Sequence, residues 1–186
     1  MKNDIRTPLV ISLPSMALKH TLQWSARPNM YVPDSDLPSN TTRHQVQTVD
    51  GPLELLVVEP HVTRREQVLF FQHGAFGCAS VWIPYATYFS QLGYPCYAIS
   101  VRGHGASWVP GILKMWCASK ATIVRDMVAG IEWAKAEEMR KRGTTSVSLV
   151  LVGHSMGGGL AQYALSKELV RVTGLILCGT TPGSGM

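Results

Sequence analysis

At 186 residues, with 46% hydrophobic and 16% charged residues, the chain is long enough for one globular domain and too apolar to be a disordered one. The net charge of +5 comes from 17 basic against 12 acidic residues, and their one cluster, Arg140-Lys141-Arg142, closes a predicted helix, where cations complement the dipole and argue against a nucleic-acid surface. Cys78, Cys96, Cys117 and Cys178 lack C-x-x-C or zinc-ligand spacing, and no apolar run approaches a membrane span, so the chain reads as a soluble, cytoplasmic protein with free thiols and no metal.

Residues 1–42 carry Pro8, Pro14, Pro28, Pro33 and Pro38 among polar residues without a sustained period, and read as an irregular extension ahead of a domain over 43–186. The apolar Leu9-Val10-Ile11-Ser12-Leu13 meets Pro14 too soon for a secretory signal. From Arg43, residues His44, Val46 and Thr48 alternate with polar neighbours, Asp50-Gly51 is a turn signal, and Leu53 to Val58 returns as a second strand. An antiparallel hairpin therefore opens the domain.

Gln67 to Gln72 is the next strand and runs into His73-Gly74-Ala75-Phe76-Gly77. Val81, Trp82, Tyr85, Phe89 and Leu92 follow at near-helical spacing, with Ser80 as the expected N-cap and Gly93 as the stop. Pro95 to Val101 is a further strand, ending in Arg102-Gly103-His104-Gly105-Ala106-Ser107. After a connection rich in proline and tryptophan, Thr122 to Arg142 is the longest predicted helix, buried along Ile123, Met127, Ile131 and Ala134 and ended by Gly143.

Val147 to Val152 is apolar without strict alternation, as in a parallel strand covered on both faces. It leads into Gly153-His154-Ser155-Met156-Gly157, the spacing of a nucleophile elbow. A serine at so sharp a turn is held in a strained conformation, and a Cβ at either flanking glycine would collide with strand or helix. Met156 precedes the predicted helix Gly157 to Lys167, so its N–H is unpaired within the helix and can point at a developing oxyanion. Taken alone, the motif fits a plain strand-to-helix turn equally well. A dinucleotide fingerprint fits worse, because Ser155 stands where the pyrophosphate needs a glycine, and the G-K-[ST] ending of a phosphate loop is missing. No cofactor is called for. A last strand runs over Thr173 to Cys178.

Alternation of strand and helix implies an α/β fold, with a mostly parallel sheet flanked by helices behind the antiparallel hairpin. It also gathers three glycine-containing loops, at His73, Arg102 and Ser155, at the carboxyl ends of the strands, where chemistry belongs. In order and content these loops resemble those of the α/β-hydrolase superfamily, across about Gln45 to Gly179. That resemblance implies Ser155 as nucleophile, the backbone N–H groups of Met156 and Ala75 as oxyanion donors, and Phe76 as the alternative second donor. It implies an ester, amide or thioester as the small-molecule acyl substrate. A serine at the elbow argues against haloalkane and epoxide chemistry. Met156, Phe76, Trp82 and Trp108 are candidates for an acyl pocket, although packing accounts for such residues more often.

The same resemblance places the acid and the base after the nucleophile, yet the only acid after Ser155 is Glu168 and no histidine follows. The side chain of His154 is expected to point into the sheet side of the turn, His73 and His104 match structural positions of the superfamily, and His20, His44 and His61 lie in the N-terminal segments. The expectation is an α/β-hydrolase fold cut short after its sixth strand, whose bare edge a partner could cover. A non-catalytic remnant stands as the alternative to an enzyme.

Overall fold

The computed structural model describes residues 31–180. Of the expected extension, residues 1–30 lie outside the described part, His20 and the Leu9 to Leu13 run among them. The hairpin is β1 (Thr41–Val46) against β2 (Leu53–Val58), paired antiparallel, with its first strand opening two residues before the predicted start. Next come β3 (Val68–Gln72), α1 (Ile83–Gln91), β4 (Cys96–Ile99), α2 (Ile112–Trp116), α3 (Lys120–Arg142), β5 (Leu149–His154), α4 (Met156–Ser166) and β6 (Gly174–Cys178).

Six strands form one sheet in the order β1-β2-β4-β3-β5-β6. The hairpin joins it antiparallel, through β2 on β4, and the other pairings are parallel. All six residues of β2 are buried, because helices cover both faces there. One face packs Leu55, Val57, Phe70, Tyr97 and Leu151 against Met127 and Ile131 of α3 and Leu160 and Ala164 of α4. On the opposite face, Leu56, Leu69, Phe71 and Ala98 meet Trp82 and Ala86.

Several element ends differ from expectation for local reasons. Trp82 rather than Ser80 stands at the N-cap position, because Ala79–Trp82 forms a 3-10 turn and α1 begins behind it with Pro84 in its first turn. The long helix starts two residues early, since the Ser119 hydroxyl accepts the Thr122 N–H at 3.2 Å, and ends as expected at Gly143, φ 64°. Val124 rather than Ile123 is its first fully buried residue. Helix α2 falls in what the sequence presents as plain connection, because its five residues are too few to display a period.

The basic cluster of α3 is engaged in ion pairs: Arg140 and Lys141 with Glu137, Lys141 with Glu59, and Arg142 with Glu138. All four cysteines are free thiols. Among the described residues no helix is long and apolar enough to cross a membrane. Strand β6 forms one edge of the sheet and leaves Leu175, Ile176 and Leu177 exposed.

Candidate active site

Strand β5 delivers Ser155 to the N-terminus of α4 with φ 52° and ψ −124°, a left-handed region that a residue bearing a Cβ rarely enters. The strain is held from both sides. Ser155 N–H donates to the Cys178 carbonyl at 3.0 Å, and its own carbonyl accepts from Gly158 at 3.1 Å and Gly159 at 3.3 Å.

The flanking glycines are required by contact. A Cβ on Gly153 would stand 2.6 Å from Gly158 Cα, and one on Gly157 would stand 2.4 Å from the His73 carbonyl oxygen. These are the helix and strand collisions that the sequence implied. Met156 is the first residue of α4, one position earlier than predicted, and its backbone N–H has no hydrogen bond among the described residues.

The His73–Gly77 loop lies directly against the elbow, since a methyl group on Gly74 would come within 3.1 Å of both Ser155 Cβ and His154 Nδ1. The loop is fastened from behind. His73 Nε2 accepts the Val101 N–H at 3.2 Å, which fixes the tautomer with Nδ1–H, and Nδ1 donates to the Gly74 carbonyl at 2.6 Å. His104 bridges the Arg102 carbonyl at 3.0 Å and the Ala75 carbonyl at 2.8 Å, tying the second loop to the first. With the Ala75 carbonyl so fixed, the Phe76 N–H that shares its peptide plane is fixed with it, and the Gly74 carbonyl held by His73 fixes the Ala75 N–H in the same way.

Burial, with the neighbouring His104 ring adding to it, pushes the His73 pKa down to about 3. Unfolded, the ring titrates near 6.5. Between those values the unfolded chain binds a proton that the folded chain refuses, so the stability contributed by neutral His73 is complete above pH 6.5 and is lost as pH falls toward 3. The slope is about 1.4 kcal/mol per pH unit. Nitrogen-15 spectra at pH 5 should show His73 still neutral and protonated on Nδ1. An imidazolium signal growing in between pH 7 and 5 would contradict this account of the loop.

A cleft of about 940 Å³ opens beside Ser155 and is lined by the loop residues Gly74 to Gly77, by Trp82 and Tyr85, and by His154, Ile176 and Cys178. Of the four pocket candidates, Phe76 and Trp82 line this cleft. Met156 and Trp108 pack against the cluster on the opposite face of the sheet instead. The expected direction of His154 is corrected: its ring is exposed in the cleft and approaches Trp82 edge-on, centroids 6.5 Å apart, because Gly74 leaves room for it there.

Ser155 Oγ makes no hydrogen bond among the described residues. His44 is on β1, its ring tilted against that of Trp133, and Glu168 is past the end of α4, so neither joins the site. Gly74 and Tyr85 were not singled out from sequence. The H-G-x pattern could have marked Gly74, whereas Tyr85 looked like any helical core position.

A strained serine between glycines, at the end of a parallel strand and beside a tethered glycine loop, defines the chain as an α/β-hydrolase. A model of the serine aminopeptidase S33 family matches residues 63–184, and the chain belongs to that family. Among curated proteins it is similar to protein ABHD8 of Mus musculus, 31% identical over 117 residues, which are 62% of this chain and 24% of that protein. The chain thus spans about a quarter of that relative's length. A thermostable carboxyl esterase from Bacillus coagulans superposes with a TM-score of 0.61 at 17% identity, over 77% of this chain and 46% of the esterase. A Vigna radiata epoxide hydrolase mutant gives 0.57 at 20%, over 75% and 39%. At these identities the likeness to both is one of fold.

Proposed function

We propose that the chain carries the nucleophile of a serine hydrolase that cleaves ester, thioester or amide bonds through an acyl-enzyme on Ser155. The observation that carries this reading is the Ser155 backbone at φ 52° and ψ −124°, held by hydrogen bonds to the edge strand and to the helix. Ser155 Oγ attacks the acyl carbon, and the oxyanion that forms is met by the Met156 and Ala75 N–H groups, with Phe76 as the alternative to Ala75. A general base takes the hydroxyl proton and returns it to the leaving group; His73 and His104 are not that base, since both ring nitrogens of each are engaged by backbone groups. The free thiols suit the reducing cytoplasm.

The test is a fluorophosphonate probe, which reports the nucleophile without needing a complete triad. Ser155 should be labelled slowly but at least tenfold faster than any residue in Ser155→Ala, with the adduct on the peptide that contains Ser155. A second reading, a non-catalytic ligand-binding protein, is favoured by the lack of a hydrogen bond on Ser155 Oγ among the described residues. Equal labelling of the two proteins would select it and reject the enzyme.

A further inference from the structure

Strand β2 runs from Leu53 to Val58 with one charged side chain, Glu54, which is 2% exposed. A carboxylate so deeply buried persists only where donors replace its water. Its two oxygens serve two different parts of the chain. Oε1 accepts from Arg43 Nε of β1 at 2.7 Å, while Oε2 accepts from the Ser100 hydroxyl at 2.6 Å and the Ala106 N–H at 2.9 Å. Gly105, at φ 54°, turns against that second oxygen, where a Cβ would collide with it. From Oε2 the hydrogen bonds reach the His73–Gly77 loop by two routes. In one, Ala106 belongs to the turn closed by Ser107 N–H on the His104 carbonyl at 3.0 Å, and His104 Nε2 holds the Ala75 carbonyl at 2.8 Å. In the other, Ser100 Oγ accepts the Ala79 N–H at 2.8 Å, just after the chain leaves the loop. From Oε1 they lead the opposite way, because Arg43 also donates to Tyr31 Oη at 3.2 Å, to the Val32 carbonyl and to the Asp34 carboxylate.

We propose that Glu54 is a positioning residue for the loop that carries the second oxyanion donor. Paired with Arg43, its carboxylate fixes the Ala75–Phe76 peptide through Ala106 and His104, and fixes the exit of the loop through Ser100. The role rests on the hydrolase reading in so far as the loop serves Ser155. What selects a carboxylate here is its pair of acceptors, since an amide offers one acceptor and one donor. In Glu54→Gln, an amide oxygen turned to Arg43 aims the NH2 at the Ala106 N–H. Turned to Ala106, it aims the NH2 at the guanidinium. Two donors face each other either way, and the loop or the Arg43 side chain has to move.

The test compares the natural chain, Glu54→Gln, and the double variant Arg43→Met with Glu54→Gln, each at a temperature where it is fully folded, so that stability does not enter the rates. Fluorophosphonate labelling of Ser155 should fall about tenfold or more in Glu54→Gln. In the double variant it should return to within about threefold of the natural rate, because without the guanidinium the amide oxygen is free to face Ser100 and Ala106. Nitrogen-15 spectra should follow the same course: the Phe76, Ala79 and Ala106 amide signals move in Glu54→Gln and come back in the double variant, while those of Gly158 and Gly159 in α4 stay. Amide exchange in the natural chain needs no variant. Ala79 and Ala106, released together when Glu54 lets go, should exchange within about threefold of each other. Labelling at the natural rate in folded Glu54→Gln, an unmoved Phe76 signal, a double variant no better than the single one, or exchange rates of the two amides more than about tenfold apart would each overturn the proposal and leave the ion pair a support of the core alone. If the natural chain is labelled no faster than Ser155→Ala, the hydrolase reading fails instead, and the amide signals and exchange rates decide the positioning by themselves.

Discussion

Asp126→Ala should lower folding stability by about 3 kcal/mol, among the largest losses available to a single substitution outside the apolar core. Asp126 is buried in α3 and receives three hydrogen bonds from Arg102: from its backbone N–H at 2.9 Å, Nε at 2.8 Å and Nη2 at 2.6 Å. The pair is a planar fork on a carboxylate, and its hydrogen bonds to Asp126 raise the guanidinium above its ordinary range. Removing the carboxylate leaves a buried cation, which costs about 3 to 5 kcal/mol when nothing replaces the partner. Asp50 remains at 3.0 Å, but it is 44% exposed and recovers only part of the attraction, which sets the expectation at the lower end.

The consequence reaches the catalytic edge. Arg102 opens the loop whose His104 grips the Ala75 carbonyl, so a loosened Arg102 loosens the Ala75–Phe76 peptide, whose Phe76 N–H is the alternative second oxyanion donor. Thermal unfolding and probe labelling should therefore fall together in Asp126→Ala. The double variant Arg102→Met with Asp126→Leu should regain most of the stability, since a well-packed apolar pair replaces a buried ion pair at little cost. Loss of stability in the double variant equal to that in the single one would show that the charges do more than satisfy each other.

The elbow was legible in the sequence because its chemistry is local. A serine between glycines after an apolar strand leaves few conformations open, and the structure puts Ser155 in the strained one. Strand identity was legible for the same reason, since runs such as Val68 to Gln72 are apolar on every residue. The sheet order was not, because β2 enters antiparallel beside β4 rather than beside β3, and only long-range pairing decides that.

Helix starts lie two residues from the expected positions where a 3-10 turn or an early cap intervenes. His154 was misjudged for another reason. Its direction depends on the space left by Gly74, a residue eighty positions away, and no local pattern carries that. Trp82 and Trp108 show the limit for pocket residues, as two tryptophans near glycine loops ended on opposite faces of one sheet.

Gly157→Ala should also be strongly destabilising, against the sign that local preference predicts. In an exposed helix interior, alanine is favoured over glycine by about 1 kcal/mol. At Gly157, in the first turn of α4, the added methyl would stand 2.4 Å from the His73 carbonyl oxygen and 2.6 Å from that of Gln72. Both atoms are backbone at the end of β3, which is buried and paired on both sides, so no flexible side chain can swing away. Either the start of α4 or the end of β3 must move, at the 1 to 3 kcal/mol usual for overpacking, and the upper end applies because the obstacle is rigid.

The net expectation is a loss of about 2 kcal/mol, read as a lowered denaturation midpoint at unchanged denaturant slope. Function should suffer more than stability does. The start of α4 carries the Met156 amide and the end of β3 leads into the Ala75 loop, so any relief of the clash moves the two proposed oxyanion donors apart. Labelling of Ser155 by a fluorophosphonate should drop at least a hundredfold in Gly157→Ala at a temperature where the variant is still folded. Stability at or above that of the natural chain, with labelling intact, would mean that the helix and the strand are not in contact at this glycine and that the elbow is held open by something else.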